Sequence, residues 1–258
     1  MTTALITGAS AGIGRAFARE IAGRGTDLVI VARDAARLND LARDLRSVHD
    51  IDVEVLAADL TDQGDLDRVA ARLGDPQRPI DLLVNNAGLG QKRSFLNNSL
   101  ENELAAFDLM CRAVLVLSHA AGRAMRERHR GAIINVSSMA SFLATGSYSA
   151  EKSFVTVFTE SLASELHGSG VTATAVCPGF THTEFHARAR QDLSSLPDFA
   201  WLDADQVARV ALDDAAAGKV ISVPGAAYKA ARVALRFAPR TLLRTGLMKP
   251  GSWKPGLR

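Results

Sequence analysis

Short apolar, β-branched runs recur along the chain at 4–7 (ALIT), 27–32 (DLVIVA), 53–57 (VEVLA), 80–85 (IDLLVN), 132–137 (AIINVS), 171–176 (VTATAV) and 220–223 (VISV). Between them, apolar residues fall at helical spacing over 14–22, 35–48, 66–73, 104–128, 148–167 and 204–215. Runs this apolar belong to strands buried on both faces. A strand, a helix and a second strand in one sheet need a crossover, and crossovers are right-handed. The alternation therefore predicts an α/β fold: a doubly wound parallel sheet of about seven strands with helices on both faces. Such a sheet binds ligands beyond the carboxyl ends of its strands, where strand order reverses. No internal repeat or flexible linker divides the 258 residues, so one domain is expected.

Charge and cysteine content narrow the function classes. The chain has 30 Lys and Arg against 28 Asp and Glu, too balanced for a nucleic-acid partner. Cys111 and Cys177 lack the spacing of a disulfide framework or a zinc site, so no metal is expected and a reduced, cytoplasmic setting is. The opening MTTALITGAS reads as a strand and not as a signal peptide, and no apolar run approaches the ~20 residues of a membrane span.

The first apolar run passes directly into Thr7-Gly8-Ala9-Ser10-Ala11-Gly12-Ile13-Gly14 and then into a helix. Glycines suit this turn for three reasons. Gly8 permits a sharp bend, Gly12 lets a pyrophosphate approach the backbone, and Gly14 lets the helix pack closely on the sheet. The helix N-terminus offers N–H groups to phosphates. Other doubly wound proteins, methyltransferases among them, use similar turns. Arg33 follows the second strand, where many NAD-binding folds place an acid for the ribose 2′-hydroxyl. A guanidinium there suits a 2′-phosphate, with Arg37 assisting, so NADP(H) is expected over NAD(H). The plainer reading is a surface arginine for which Asp34 competes.

Tyr148 and Lys152 are four residues apart, on one face of a helix. A phenol with a pKa of about 10 is a poor base at neutral pH, and a nearby ammonium is expected to lower it. The helix follows a strand that ends Asn135-Val136-Ser137-Ser138. A serine there can hydrogen-bond a substrate oxygen; Ser138 is the first choice and Ser137 the alternative.

These motifs together resemble the short-chain dehydrogenase/reductase family, in its classical group, over about residues 3–224. The residues that carry the likeness are TGASAGIG (7–14), Asp59-Leu60, Asn85-Asn86-Ala87-Gly88, Ser138, YSAEK (148–152), and Pro178-Gly179 with Thr183. The resemblance implies a single Rossmann-type domain with Ser138, Tyr148 and Lys152 as catalytic residues. It implies a cofactor cleft of Gly8, Ser10, Gly12, Ile13, Gly14, Arg33, Asp59, Leu60, Asn86, Ala87, Gly88, Tyr148, Lys152, Pro178, Gly179, Thr181 and Thr183. Asp59 would touch the adenine, Lys152 the nicotinamide ribose, and Thr183 with the backbone near Gly179 the carboxamide. Read on their own, Asp59 is a loop or helix-cap acid, and 86–88 and 178–179 are strand-end turns. A homo-oligomer, dimer or tetramer, is implied too.

Two departures stand out. Met110 occupies the position where the family usually has an asparagine that helps hold a water, which a thioether cannot do. This motivates the alternative of a nicotinamide-cofactor-binding sensor or regulator without turnover. The spacing from Ser138 to Tyr148 is ten residues, about three fewer than the family's, which predicts a more open pocket.

Segment 184–202 takes the family's substrate-cover position, and Phe185, Leu193, Leu196, Phe199, Ala200, Trp201 and Leu202 predict an apolar cover. The expected substrate is a small hydrophobic ketone, aldehyde or secondary alcohol. His182 reads as a loop residue. The organisation expected is 1–224 as the dinucleotide-binding catalytic domain and 225–258 as a basic extension packed on or projecting from it. That extension has eight basic residues and no acid, and Lys229, Arg232, Arg236, Arg240 and Arg244 recur at helical spacing, a pattern interrupted near Pro239. Such a helix either contacts an anionic membrane surface weakly or packs on the protein with its charges solvated.

Overall fold

The computed structural model describes residues 2–90, 94–185, 196–239, 241 and 243. The strands are β1 (Thr3–Thr7), β2 (Asp27–Ala32), β3 (Val53–Ala57), β4 (Leu82–Asn85), β5 (Gly131–Val136), β6 (Val171–Val176) and β7 (Ile221–Ser222). They form one seven-stranded sheet in the order β3-β2-β1-β4-β5-β6-β7, parallel throughout. The order reverses between β1 and β4, so the crevice at their carboxyl ends is the expected ligand site. This is the Rossmann-type fold that the alternating pattern predicts.

Helices α1 (Gly12–Ala22), α2 (Ala35–Val48), α3 (Gln63–Gly74), α4 (Leu100–Phe107), α5 (Ala113–Glu127), α6 (Gly146–Glu165), α7 (Ala204–Ala216) and α8 (Ala226–Phe237) complete the described chain. Side-chain alternation along the strands splits the core in two. Ala4, Ile6, Leu28 and Ile30 pack with Phe17, Leu38 and Val207 on one face. Leu5, Val29, Val31 and Leu83 pack with Leu66, Leu117 and Leu166 on the other. Burying a side chain such as Phe17 or Leu117 contributes about 1.5–3 kcal/mol. Asp34, Asp62, Ser99 and Asp203 cap α2, α3, α4 and α7 by accepting backbone N–H groups.

A π-turn at Asp108–Arg112 joins α4 to α5 without a break. The run Leu100–Glu127 is long and apolar enough to cross a membrane by length and composition, contrary to the sequence expectation. Its apolarity has a packing reason: Met110, Cys111, Ala113, Leu117, Ala121 and Met125 are buried in the protein.

Between β4 and β5 the core is polar and closed on itself. Asn85 donates to Asn135 Oδ1 at 2.9 Å and to Ser118 at 3.1 Å, while Asn135 donates to Thr159 at 2.9 Å. This network ties α5 and α6 to the strands that carry the site, and buried amides left unbonded would each cost about 1–3 kcal/mol.

Helix α8 docks on the protein's own surface. Tyr228, Ala231 and Leu235 pack on Met139, Cys177 and Val223, and the Arg232 guanidinium lies 5.5 Å from the Phe142 ring centroid. The helix stops before Pro239, as the sequence predicts. The tail residues Arg240, Arg244, Lys249, Lys254 and Arg258 and the cover residue Leu193 lie outside the described residues.

Candidate active site

The turn after β1 is built as its glycines require. Gly8 and Gly12 have positive φ, +67° and +54°, which L side chains rarely adopt. A Cβ on Gly14 would come within 2.2 Å of the Gly8 carbonyl oxygen, so this contact of helix and strand admits glycine alone. Ala11 at the N-cap of α1 has no side chain with which to cap, and the first turn holds no acid. The helix thus presents backbone N–H groups to an anion. Ser10 and Ile13 are half-buried on the same turn.

Thr7, not singled out in the sequence beyond its place in the motif, anchors the cleft. Its hydroxyl accepts from the Asn86 and Ala87 amides, both at 3.0 Å. The Asn86 side chain donates back to the Thr7 and Gly8 carbonyls at 3.0 and 3.3 Å. Asn86 therefore acts by locking β4 to the turn. Across the cleft, a Cβ on Gly12 would sit 3.2 Å from Thr183, so a side chain at this position would fill the gap between turn and loop. A cleft that only glycine leaves open fits an extended pyrophosphate.

On the adenosine side, Arg33 lies 3.7 Å from Asp59, and Arg37 lies 3.1 Å from Glu184. The sequence expectation that Asp34 competes for Arg33 is corrected: Asp34 caps α2, and its other oxygen lies 3.6 Å from Arg37. Nor is Asp59 a helix cap, since Asp62 serves α3. Asp59 accepts from the Thr61 amide and hydroxyl at 3.0 and 2.8 Å. Partial burial works to raise its pKa, but Thr61 and Arg33 outweigh that and hold it below the ordinary carboxylate range. Leu60 is buried in the core and offers the cleft only its backbone.

Ser138, Tyr148 and Lys152 converge at the ends of β5 and α6. Ser138 accepts from the Ala140 amide at 3.1 Å and lies close enough to the Tyr148 phenol to work toward lowering its pKa. The adjacent Ser137 points the other way: it is buried, donates to the Lys152 carbonyl at 2.8 Å and pairs with Thr156 at 2.7 Å. Lys152 Nζ lies 5.9 Å from the Tyr148 ring centroid and donates to the Val136 carbonyl at 2.8 Å. A Cβ on Gly88 would stand 3.7 Å from Met110 Sδ and 3.8 Å from Lys152 Nζ, so both side chains border the space beside Gly88.

The electrostatics depart from expectation. Burial pushes the Tyr148 phenol up to about 12, against the hydrogen bond from Ser138 and with help from the Glu151 carboxylate. The expected lowering by Lys152 does not occur, and burial brings the ammonium itself down to about 8. Desolvation is the largest influence at both groups.

Gly179 has no room for a side chain: its Cβ would lie 1.9 Å from the Tyr228 ring. The Tyr228 hydroxyl accepts from Phe180 N at 3.0 Å and donates to the Ala200 carbonyl at 2.6 Å, so α8 braces the loop after β6. Pro178 accepts from Met139 N at 2.9 Å. Thr181 is buried and donates to the Gly179 carbonyl at 3.0 Å, whereas Thr183 faces Gly12. Of the expected apolar cover, Phe185 lies 6.0 Å from the Tyr148 ring. Leu202 belongs to the core, and Phe199 is 79% exposed. Trp201 stacks on His182 at 4.6 Å, which leaves His182 a loop residue.

Residues 2–194 match the sequence pattern of the short chain dehydrogenase family. The chain belongs to that family. As a short-chain dehydrogenase it is similar to one from Sphingobium yanoikuyae, solved in complex with NADPH: 35% identity, TM-score 0.85, 98% of this chain and 99% of the other. It is also similar to a bulky-bulky ketone specific alcohol dehydrogenase from Comamonas testosteroni, with 30% identity, TM-score 0.80, and 100% and 99% of the two chains covered. A 3-oxoacyl-[acyl-carrier-protein] reductase from Synechocystis sp. is 32% identical over 240 residues, 86% of this chain and 95% of that one. This short-chain dehydrogenase is therefore an oxidoreductase with a nicotinamide-cofactor fold.

Proposed function

We propose that the protein transfers a hydride between NADP(H), in preference to NAD(H), and a hydrophobic ketone, aldehyde or secondary alcohol, with Tyr148 as the acid/base. The observation that carries this reading is the meeting of Ser138, Tyr148 and Lys152 next to Gly88. When bound, the nicotinamide supplies or takes up the hydride.

The residues of the chain supply orientation and the proton. Gly8, Gly12, Gly14 and the α1 N-terminus would hold the pyrophosphate, Asp59 the adenine side, and Thr183 with the Gly179 backbone the carboxamide. Lys152 would hold the nicotinamide ribose. Ser138 and Tyr148 would bind the substrate oxygen together. A phenol pushed up to about 12 is protonated at neutral pH, so the cofactor-free protein presents a proton donor, as carbonyl reduction needs. Phe185 beside Tyr148 favours an apolar substituent, and a relative specific for bulky ketones agrees with that choice. The two arginines after β2 favour a 2′-phosphate.

A cytoplasmic homo-oligomer completes the reading. Leu104, Phe107, Leu115 and Val157 expose apolar surface along α4, α5 and α6, an area suited to a second copy. The test is Tyr148→Phe with a bulky aryl ketone: turnover falls about 10²–10⁴-fold while NADPH affinity stays within roughly twofold. Retained turnover would break the assignment.

A further inference from the structure

Both arginines expected at a 2′-phosphate are already engaged by carboxylates. Arg33 faces Asp59 at 3.7 Å. Arg37 Nη1 donates to both Glu184 oxygens, at 3.1 and 3.4 Å. With Asp34 3.6 Å from Arg37, three carboxylates surround two guanidiniums, so the corner is not an open cationic pocket.

The three carboxylates differ in what else they do. Asp34 caps α2 by accepting from the Arg37 amide at 3.0 Å. Asp59 accepts from Thr61. Glu184 comes from a different element, the loop after β6, and reaches Arg37 on α2. Its neighbours face other parts of the cleft: Thr183 faces Gly12, and Phe185 lies 6.0 Å from the Tyr148 ring.

We propose that Glu184 is a specificity-determining residue: it competes with the cofactor's 2′-phosphate for Arg37, and so sets how far the protein distinguishes NADP(H) from NAD(H). This rests on the reading that Arg33 and Arg37 receive that phosphate. A phosphate has more charge and more acceptor oxygens than a carboxylate and displaces it from a guanidinium fork, but the displaced contact is subtracted from NADPH affinity. NADH has no group to exchange with Glu184 and is indifferent to it.

The test is a double-mutant cycle read by nicotinamide fluorescence, with NADPH and NADH titrated into the parent protein, Glu184→Gln, Arg37→Gln and the double variant. Glu184→Gln should tighten NADPH roughly two- to fivefold, the range that exposed ion pairs give, and leave NADH unchanged. In the Arg37→Gln background the gain should vanish. Equal tightening of both cofactors, no tightening of NADPH, or the same gain without Arg37 would overturn the proposal while leaving the cofactor preference intact. If the parent protein binds NADH as tightly as NADPH, the 2′-phosphate reading fails, and the role of Glu184 fails with it.

Discussion

Lys152 donates from its ammonium to the carbonyl oxygen of Val136 at 2.8 Å, which ties α6 to the end of β5, two residues before Ser138. The bond fixes the side chain in a buried place, and burial brings its pKa down to about 8. The charged form is therefore lost as pH rises through about 8. If that charge supports reduction, kcat/KM for a ketone falls on the alkaline side of pH 8. Lys152→Arg, charged at every accessible pH, should remove this limb at a lower plateau. A profile that stays flat from pH 7 to about 9.5 in the parent protein would discard the role.

Ser137 and Ser138 should separate cleanly in their effects. Ser138→Ala should lower kcat about 10²-fold with little change in melting temperature. Ser137→Ala removes two buried hydrogen bonds, to the Lys152 carbonyl and to Thr156, so it should cost about 1–3 kcal/mol of stability and little chemistry. Denaturant unfolding and steady-state kinetics on both variants check this, and an exchange of the two phenotypes would reverse the assignment.

Glu151 makes stability depend on pH. Burial first, then the neighbouring Glu103 carboxylate, raises its pKa to about 7, with Lys152 acting the other way. The raised folded value means that the native state binds more protons than the unfolded chain between about pH 4.5 and pH 7. Its contribution is fully present below the unfolded value and is lost as pH rises through about 7. Glu151→Gln removes the titration, so its stability relative to the parent should increase from pH 5 to pH 8, by at most on the order of 3 kcal/mol. Melting temperatures measured across that range would show a constant offset if the idea is wrong.

The brace between α8 and the loop after β6 should show as strong coupling. Gly179→Ala drives a methyl group into the Tyr228 ring and should lower stability by several kcal/mol. In a Tyr228→Ala background, where the ring is gone, most of that penalty should disappear. Additive losses in the cycle would mean that the loop does not rely on α8.

The sequence by itself determined the seven parallel strands, the glycine turn and the shared helix face of Tyr148 and Lys152. Alternation, helical spacing and the backbone freedom of glycine act among residues a few positions apart, so they can be read locally. The motif order put Ser138 first with Ser137 as the alternative, and only the structure shows that Ser137 points into the protein. Only the tertiary structure decided how the charges pair and how far each group is desolvated. Arg37 meets Glu184 from 147 residues away, Arg33 meets Asp59 and not its neighbour Asp34, and Gly179 is required by a tyrosine on α8. Where the sequence led to a lowered Tyr148 phenol, burial raises it. A motif shows that two groups are close, but the dielectric around them is set by everything else that packs there.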